Sequence, residues 1–324
     1  MAAATVALIR CESYDPDRVA RAVSRQFELL GGVERFFKRG DRVLLKPNFI
    51  APRSPQQNPA QTHPAVILAT ATLLKDCGAK PFVADSPAWS NARTCARVLG
   101  LTEPLAKLGV PVLEMGQSRP CRLGPGKPRV RISSVALDAD VIINLPKFKA
   151  HQQLVTTFAV KNMFGCVSGK RKALWHFRAG DDAVRFCTLL IDIYRRLTPA
   201  VTIVDGIVAM EGPGPIRGTS RPLGWLIAGV DPIACETVCC RLVAIEPERI
   251  PVIRTARQIG FGCADLDQVD ILGDALPAEP CTDFQWPALV PIKFSLTRVC
   301  RSLARQILFL VRPSKTERSQ PSQY

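Results

Sequence analysis

Apolar runs of strand length alternate with amphipathic runs of helical length along most of this chain, and that order of segments limits the fold more than any other feature. ATVALIR reads as a first strand, Pro16 to Phe37 as a helix, and Asp41 to Pro47 (DRVLLKP) as a strand closed by proline. A helix from Pro64 to Gly78, ended by glycine, leads to a strand at Pro81 to Asp85. Ala92 to Leu99 reads as helix, and Val110 to Leu113 and Ala139 to Leu145 as strands. Helices at Asp182 to Leu197 and Pro232 to Val243 then intersperse with strands at Val201 to Asp205, Gly224 to Val230 and Val269 to Leu272. Strands separated by helices pair through crossovers, so the prediction is an α/β fold with a mostly parallel sheet and helices on both faces. At 324 residues, one large unit or two lobes are both open. Residues 1–288 are assigned to this α/β domain, 289–313 to a basic amphipathic helix and 314–324 to a disordered tail.

Charge is distributed unevenly. The net charge is +15, and the forty residues between Asp140 and Asp181 hold no acidic side chain while carrying Lys147, Lys149, Lys161, Lys170, Arg171, Lys172 and Arg178, together with His151 and His176. Cations crowded without counter-ions repel one another, and an incoming anion relieves that repulsion. For Lys170, Arg171 and Lys172 a solvated basic face on an exposed loop is the favoured reading. Lys147, Lys149 and His151 directly follow the apolar run Val141 to Leu145, and ligands of open α/β sheets sit at the carboxyl ends of strands. Because the charge is local and few aromatics interleave with it, the pattern does not point to nucleic acid.

Other strand ends carry polar residues that packing does not require: Lys46-Pro47-Asn48, Asp85-Ser86-Pro87, Asp205-Gly206 and Asp231-Pro232. A helix N-cap accounts for Asp231 ahead of a proline, and His63 before Pro64 is in position to cap a helix in the same way. Asp205 is the stronger site candidate, since the loop Glu211 to Gly218 (EGPGPIRG) follows closely and its glycines, Gly212 and Gly214, let backbone approach a ligand. Gly165 to Lys170 imitates a phosphate-binding loop but is one residue short and has Arg171 where magnesium needs a hydroxyl. There is no complete Rossmann glycine fingerprint.

Twelve cysteines are scattered with no CxxC pair, so neither a zinc nor an iron–sulfur ligand set is visible in local spacing. Cys235, Cys239 and Cys240 read as core residues of one helix. The opening MAAATVALIRCES lacks a basic n-region and alternates in strand fashion, so reduced thiols and a cytoplasmic location are expected. No apolar run spans a bilayer. Between Pro291 and Pro313, Leu296, Val299, Leu303, Ile307 and Leu310 recur at helical spacing opposite Arg298, Arg301 and Arg305, a pattern that fits either peripheral attachment to a membrane surface or docking on protein.

The series VLLKPNF, THPAVILATATLLKDCGAKPFVADSP, DVIINLPKFKAHQQLVTTFAVKNMFGCVSGKRKALWH, IVDGIVAMEGPGPIRG and AGVDPIACETV resembles, in order over roughly residues 43 to 275, the family catalogued as domain of unknown function 362. The resemblance implies no single activity; some members carry a ferredoxin-like iron–sulfur module, which this chain lacks. Glu236 and Pro213 depart from the pattern of similar sequences.

Together these lines predict a pocket for a small anionic ligand, phosphate- or carboxylate-bearing, in a chain that reads as an enzyme. Lys147, Lys149 and Lys161 would hold the anion, with Lys46 and Asn48 from a neighbouring strand end and Asn162, Gly212 and Gly214 completing the ligand set. His151 and His176, with Asp205 or Glu211, would supply acid–base chemistry near neutral pH. No metal ligand set and no cofactor are assigned. Two alternatives stay open: a non-catalytic redox or iron–sulfur-associated partner protein, which a low-pKa Cys166 or Cys263 would favour, and a peripheral membrane protein acting on lipid-linked phosphate.

Overall fold

A computed structural model describes residues 4–292 other than 57, 89 and 168–170. In chain order the elements are β1 (Ala4–Arg10), α1 (Pro16–Leu29), β2 (Arg42–Pro47), α2 (Pro64–Asp76), β3 (Lys80–Asp85), α3 (Ala92–Val98), α4 (Thr102–Lys107), β4 (Val112–Glu114), β5 (Ser118–Arg122), β6 (Arg129–Ser133), α5 (Ser134–Leu137) and β7 (Val141–Leu145). They continue with β8 (Lys147–His151), β9 (Val155–Thr157), α6 (Ala159–Asn162), α7 (Arg171–Ala179), α8 (Ala183–Leu197), β10 (Val201–Glu211), β11 (Thr219–Gly229), α9 (Pro232–Leu242), α10 (Pro251–Gln258) and β12 (Val269–Gly273).

One ten-stranded sheet runs through the described residues in the order β12-β1-β11-β10-β7-β2-β3-β4, with β8 and β9 added beside β10, while β5 and β6 form a separate hairpin. Along the main path only β11 runs against its neighbours. The mostly parallel sheet is as predicted, and its strands sort their side chains by the two-residue period. Val6, Leu8, Leu44, Phe82, Val204 and Ile227 enter one core with α8, α9 and α10. Ala7, Ile9, Val43, Leu45, Ile203 and Leu226 enter the other with α1, α2 and α3. Helices thus cover both faces, so the central strands are apolar on both sides.

Three local expectations are corrected. The first helix stops at Leu29 rather than Phe37, because Gly31 and Gly32 adopt φ of 101° and 90°, which break the right-handed helix. The strand from Val201 continues to Glu211, so Asp205 lies within it, followed by a register shift between Gly206 and Val208. The basic segment after Leu145 is itself a strand: β7 and β8 lie end to end along β10, and Pro146, which lacks an N–H, bends the chain between them. In Lys147–His151, Phe148 and Ala150 enter the core and leave Lys147, Lys149 and His151 on the opposite face, so all five residues are buried. Residues 293–324 lie outside the described residues, and with them most of the amphipathic segment and the tail.

Candidate functional site

The carboxyl ends of β1, β2, β3 and β7, together with β8 and the middle of β10, bring the lysines to one place. Three of them are fully buried: Lys46, Lys147 and Lys149 are 0%, 1% and 1% exposed. A buried ammonium needs a partner, and the three solve that requirement differently.

Lys147 Nζ lies 2.8 Å from Asp205 Oδ2 and donates to Tyr14 Oη at 2.7 Å. Tyr14 in turn donates to Asp205 Oδ1 at 2.7 Å, and the backbone N–H of His63 donates to Asp205 Oδ2 at 2.9 Å. The Tyr14 and His63 rings stack with centroids 3.5 Å apart. Burial lowers the Lys147 pKa against the pull of Asp205, and burial drives the Tyr14 hydroxyl well above its usual range. His63 caps α2 through Nδ1, which accepts from Ala65 N at 3.2 Å, and burial brings its pKa down to about 4.

Lys46 Nζ lies 2.8 Å from Asp85 Oδ1 and donates to Pro47 O at 2.6 Å. Asp85 also accepts from the N–H groups of Phe49 and Ser86, at 2.8 and 2.7 Å. Gly165 packs over this pair: a Cβ there would fall 2.5 Å from Asp85 Oδ1 and 2.7 Å from Lys46 Nζ.

Lys149 has no carboxylate within ion-pair distance among the described residues. It donates to Asn48 Oδ1 at 2.6 Å and to Ala60 O at 2.8 Å. Burial first, then Lys161, lowers its pKa well below the ordinary lysine value. The half-buried Lys161 and Lys172 likewise lack a carboxylate partner among the described residues; burial brings them to about 7 and about 8, and Lys172 donates to Ser86 O. Asn162 links the groups: it accepts from Asn48 Nδ2 at 2.7 Å and donates to Lys46 O at 3.1 Å and Asn144 Oδ1 at 2.8 Å. The buried Glu236 accepts from Val160 N at 2.9 Å, which fixes the start of α6 and hence Lys161 and Asn162; burial raises its carboxyl to about 8.

His151 and His176 lie on the same cluster. Burial, reinforced for both by Lys161, holds His151 well below its usual pKa and His176 at about 3. Both are therefore neutral imidazoles at pH 7, a departure from groups that titrate there. Glu211 faces elsewhere: it pairs with Arg221 at 2.9 Å and accepts from Gln285 N at 2.9 Å. Gly212 donates its N–H to Gln285 O at 2.7 Å, and a Cβ on Gly214 would sit 1.9 Å from Ala150 O, so this loop packs against the back of β8. Lys170 lies outside the described residues.

Sequence reasoning assigned no role to Tyr14 or Asn144, left Asp85 as a bare strand-end residue and read Lys172 as part of a solvated basic loop, whereas it is half-buried on α7, where burial lowers its pKa. Asp85 ends β3 and is among the polar strand ends that the sequence singles out, whereas Tyr14 lies in the connection beyond Arg10, the end of β1, and that rule does not reach it. The cysteines provide no ligand set: among the described residues no three of His, Cys, Asp and Glu gather as for a metal ion. Cys166 is buried, which pushes its thiol to about 12.

A thylakoid-associated protein from Synechocystis sp. is 39% identical over 301 residues, covering 92% of each chain. The lactate racemase apoprotein from Thermoanaerobacterium thermosaccharolyticum overlays with a TM-score of 0.47 at 12% identity, over 72% of this chain and 57% of that one. No helix among the described residues is long and apolar enough to cross a membrane. The model of the family described as Domain of unknown function (DUF362) matches residues 43–241, more than half of the sequence, and the chain belongs to that family.

Proposed function

We propose that the protein is an enzyme that binds a small anionic ligand, bearing phosphate or carboxylate, against Lys149, Lys161 and Lys172. The observation that carries this reading is the contrast within one cluster. Lys46 and Lys147 have their own carboxylates, whereas these three have none among the described residues; burial lowers the pKa of all three, as it lowers that of Lys147, but only Lys147 has a carboxylate at ion-pair distance pulling it back. A bound anion would supply the missing counter-charge in a site of low dielectric, where that interaction is strong. Asn48 and Asn162 orient Lys149, and the Lys147–Asp205–Tyr14 group supplies acid–base capacity beside it. The test is thermal unfolding with inorganic phosphate, pyrophosphate and oxalate against chloride at equal ionic strength. Stabilisation that exceeds chloride and is lost in Lys161→Met supports the reading; equal effects of all anions in both proteins would end it.

Peripheral attachment to a membrane is a second reading, favoured by the thylakoid-associated relative and by the basic amphipathic pattern of residues 291–313. Sedimentation with anionic vesicles tests it, comparing the full chain with one ending at Ile292. Equal sedimentation of the two would remove that segment from consideration.

A further inference from the structure

Lys149 differs from its neighbours in a way that points past anion binding. Its two acceptors are set by the fold. Asn162 Nδ2 faces the backbone carbonyl of Lys46, and Asn144 Nδ2 faces that of Ala159 at 2.9 Å, so both amide groups have a defined orientation. Asn162 must then present Oδ1 to Asn48 Nδ2, and Asn48 must present Oδ1 to Lys149. With Ala60 O, this gives Lys149 two fixed acceptors and no carboxylate. A neutral primary amine has two N–H groups and one lone pair. Two donated hydrogen bonds use both hydrogens and leave the lone pair at the remaining tetrahedral position, whereas an ammonium would carry a third N–H for which no acceptor stands among the described residues.

We propose that Lys149 is a nucleophile whose Nζ adds to the carbonyl carbon of a small anionic carbonyl compound, a 2-oxo acid or a phosphorylated ketone, to form an imine with release of water. This rests on the anion-site reading and names its substrate class. Lys161 and Lys172 hold the carboxylate or phosphate. The Nζ lone pair forms the C–N bond, and one nitrogen proton passes to the former carbonyl oxygen. That hydroxyl leaves as water with a proton from the Lys161 ammonium, while the second nitrogen proton stays on the resulting iminium. The iminium then occupies a cation site whose hydrogen-bond acceptor Asn48 is already in place. Lysines surrounded by other cations and removed from water are the ones that react in this way. Lys46 and Lys147, equally buried, are each engaged by a carboxylate, Asp85 and Asp205, and do not compete.

The experiment is reductive trapping on the full chain at pH 7.5. Protein is incubated with pyruvate or with dihydroxyacetone phosphate, reduced with borohydride, and mapped by peptide mass spectrometry. The expected result is a reduced adduct on Lys149 at an occupancy on the order of tenfold or more above any other lysine, from one probe or both, which tells the oxo acid from the phosphorylated ketone. The adduct is lost in Lys149→Met; should that variant not fold, the position mapped in the unaltered chain decides alone. Adducts spread over many lysines, or concentrated on Lys161 or Lys172, overturn the assignment. No adduct while phosphate or oxalate still stabilises the protein overturns the imine and leaves the anion site standing. No adduct and no stabilisation by any anion removes both.

Discussion

Lys147 and Asp205 form an ion pair of 2.8 Å in which the two side chains are 2% and 0% exposed, and Tyr14 closes it into a triangle by accepting from the lysine and donating to the carboxylate. A pair so far from water gains little over a well-packed apolar substitute, but each partner depends on the other. Asp205→Asn strands the Lys147 ammonium and weakens the bonds from Tyr14 and His63 N. The expected loss is about 3–5 kcal/mol, measured by urea unfolding. The double change Lys147→Met with Asp205→Leu should cost less than the two single changes added together; a full sum would show that the pair is not coupled.

The depressed pKa of Lys161 has a definite sign in the stability profile. Its folded value of about 7 lies below the unfolded lysine value, so the folded state resists a proton that the unfolded chain accepts between those limits. Lys161 therefore costs stability progressively as pH falls from the unfolded value, and the cost levels off below about 7. Glu236 and the buried thiols, whose folded pKa values are raised, act in the opposite sense. The clean measurement is thus the difference between the natural chain and Lys161→Met. Relative to the variant, the natural chain should lose up to about 1.4 kcal/mol per pH unit on acidification through this window. A difference that stays constant with pH would contradict the burial of that ammonium.

Gly165→Ala should disturb the site without touching a charge. Its Cβ would fall 2.5 Å from Asp85 Oδ1, so either the Lys46–Asp85 pair or the turn carrying Gly165 must move. About 1–3 kcal/mol of stability should be lost, the usual range for overpacking, with weaker stabilisation by phosphate. Gly116→Ala is the control, because nothing lies within 4 Å of its added Cβ. Equal behaviour of the two variants in chemical denaturation would show that the turn yields freely.

Alkylation of the native protein discriminates the redox alternative. Burial raises the thiols of Cys166 and Cys187 to about 12 and those of Cys235, Cys239 and Cys240 well above the ordinary value. Iodoacetamide at pH 7 should leave all five unmodified while reaching the partly exposed Cys77, Cys263 and Cys281 first. Fast modification of Cys166 would favour a thiol-based role.

Much of the architecture was legible because its causes are local. Period-two apolar runs mark strands, Asp231 and His63 cap the helices that begin at Pro232 and Pro64, and the absence of acids between Asp140 and Asp181 marks where positive charge collects. The same rules missed β8, since KFKAH reads as a charged segment until Phe148 and Ala150 are seen to face a core.

What the sequence alone determined is therefore the strand and helix order, the mostly parallel sheet, and the fact that lysines gather at its strand ends. Only the tertiary structure decided which of them are compensated: Lys46 meets Asp85 from the next strand, Lys147 meets Asp205 from 58 residues away, and Lys149 receives neutral acceptors from the loop after β2. Periodicity is a relation between near neighbours and survives in one dimension. The state of a buried amine depends on charges and solvent brought to it through space, so its chemistry exists only once the chain has closed around it.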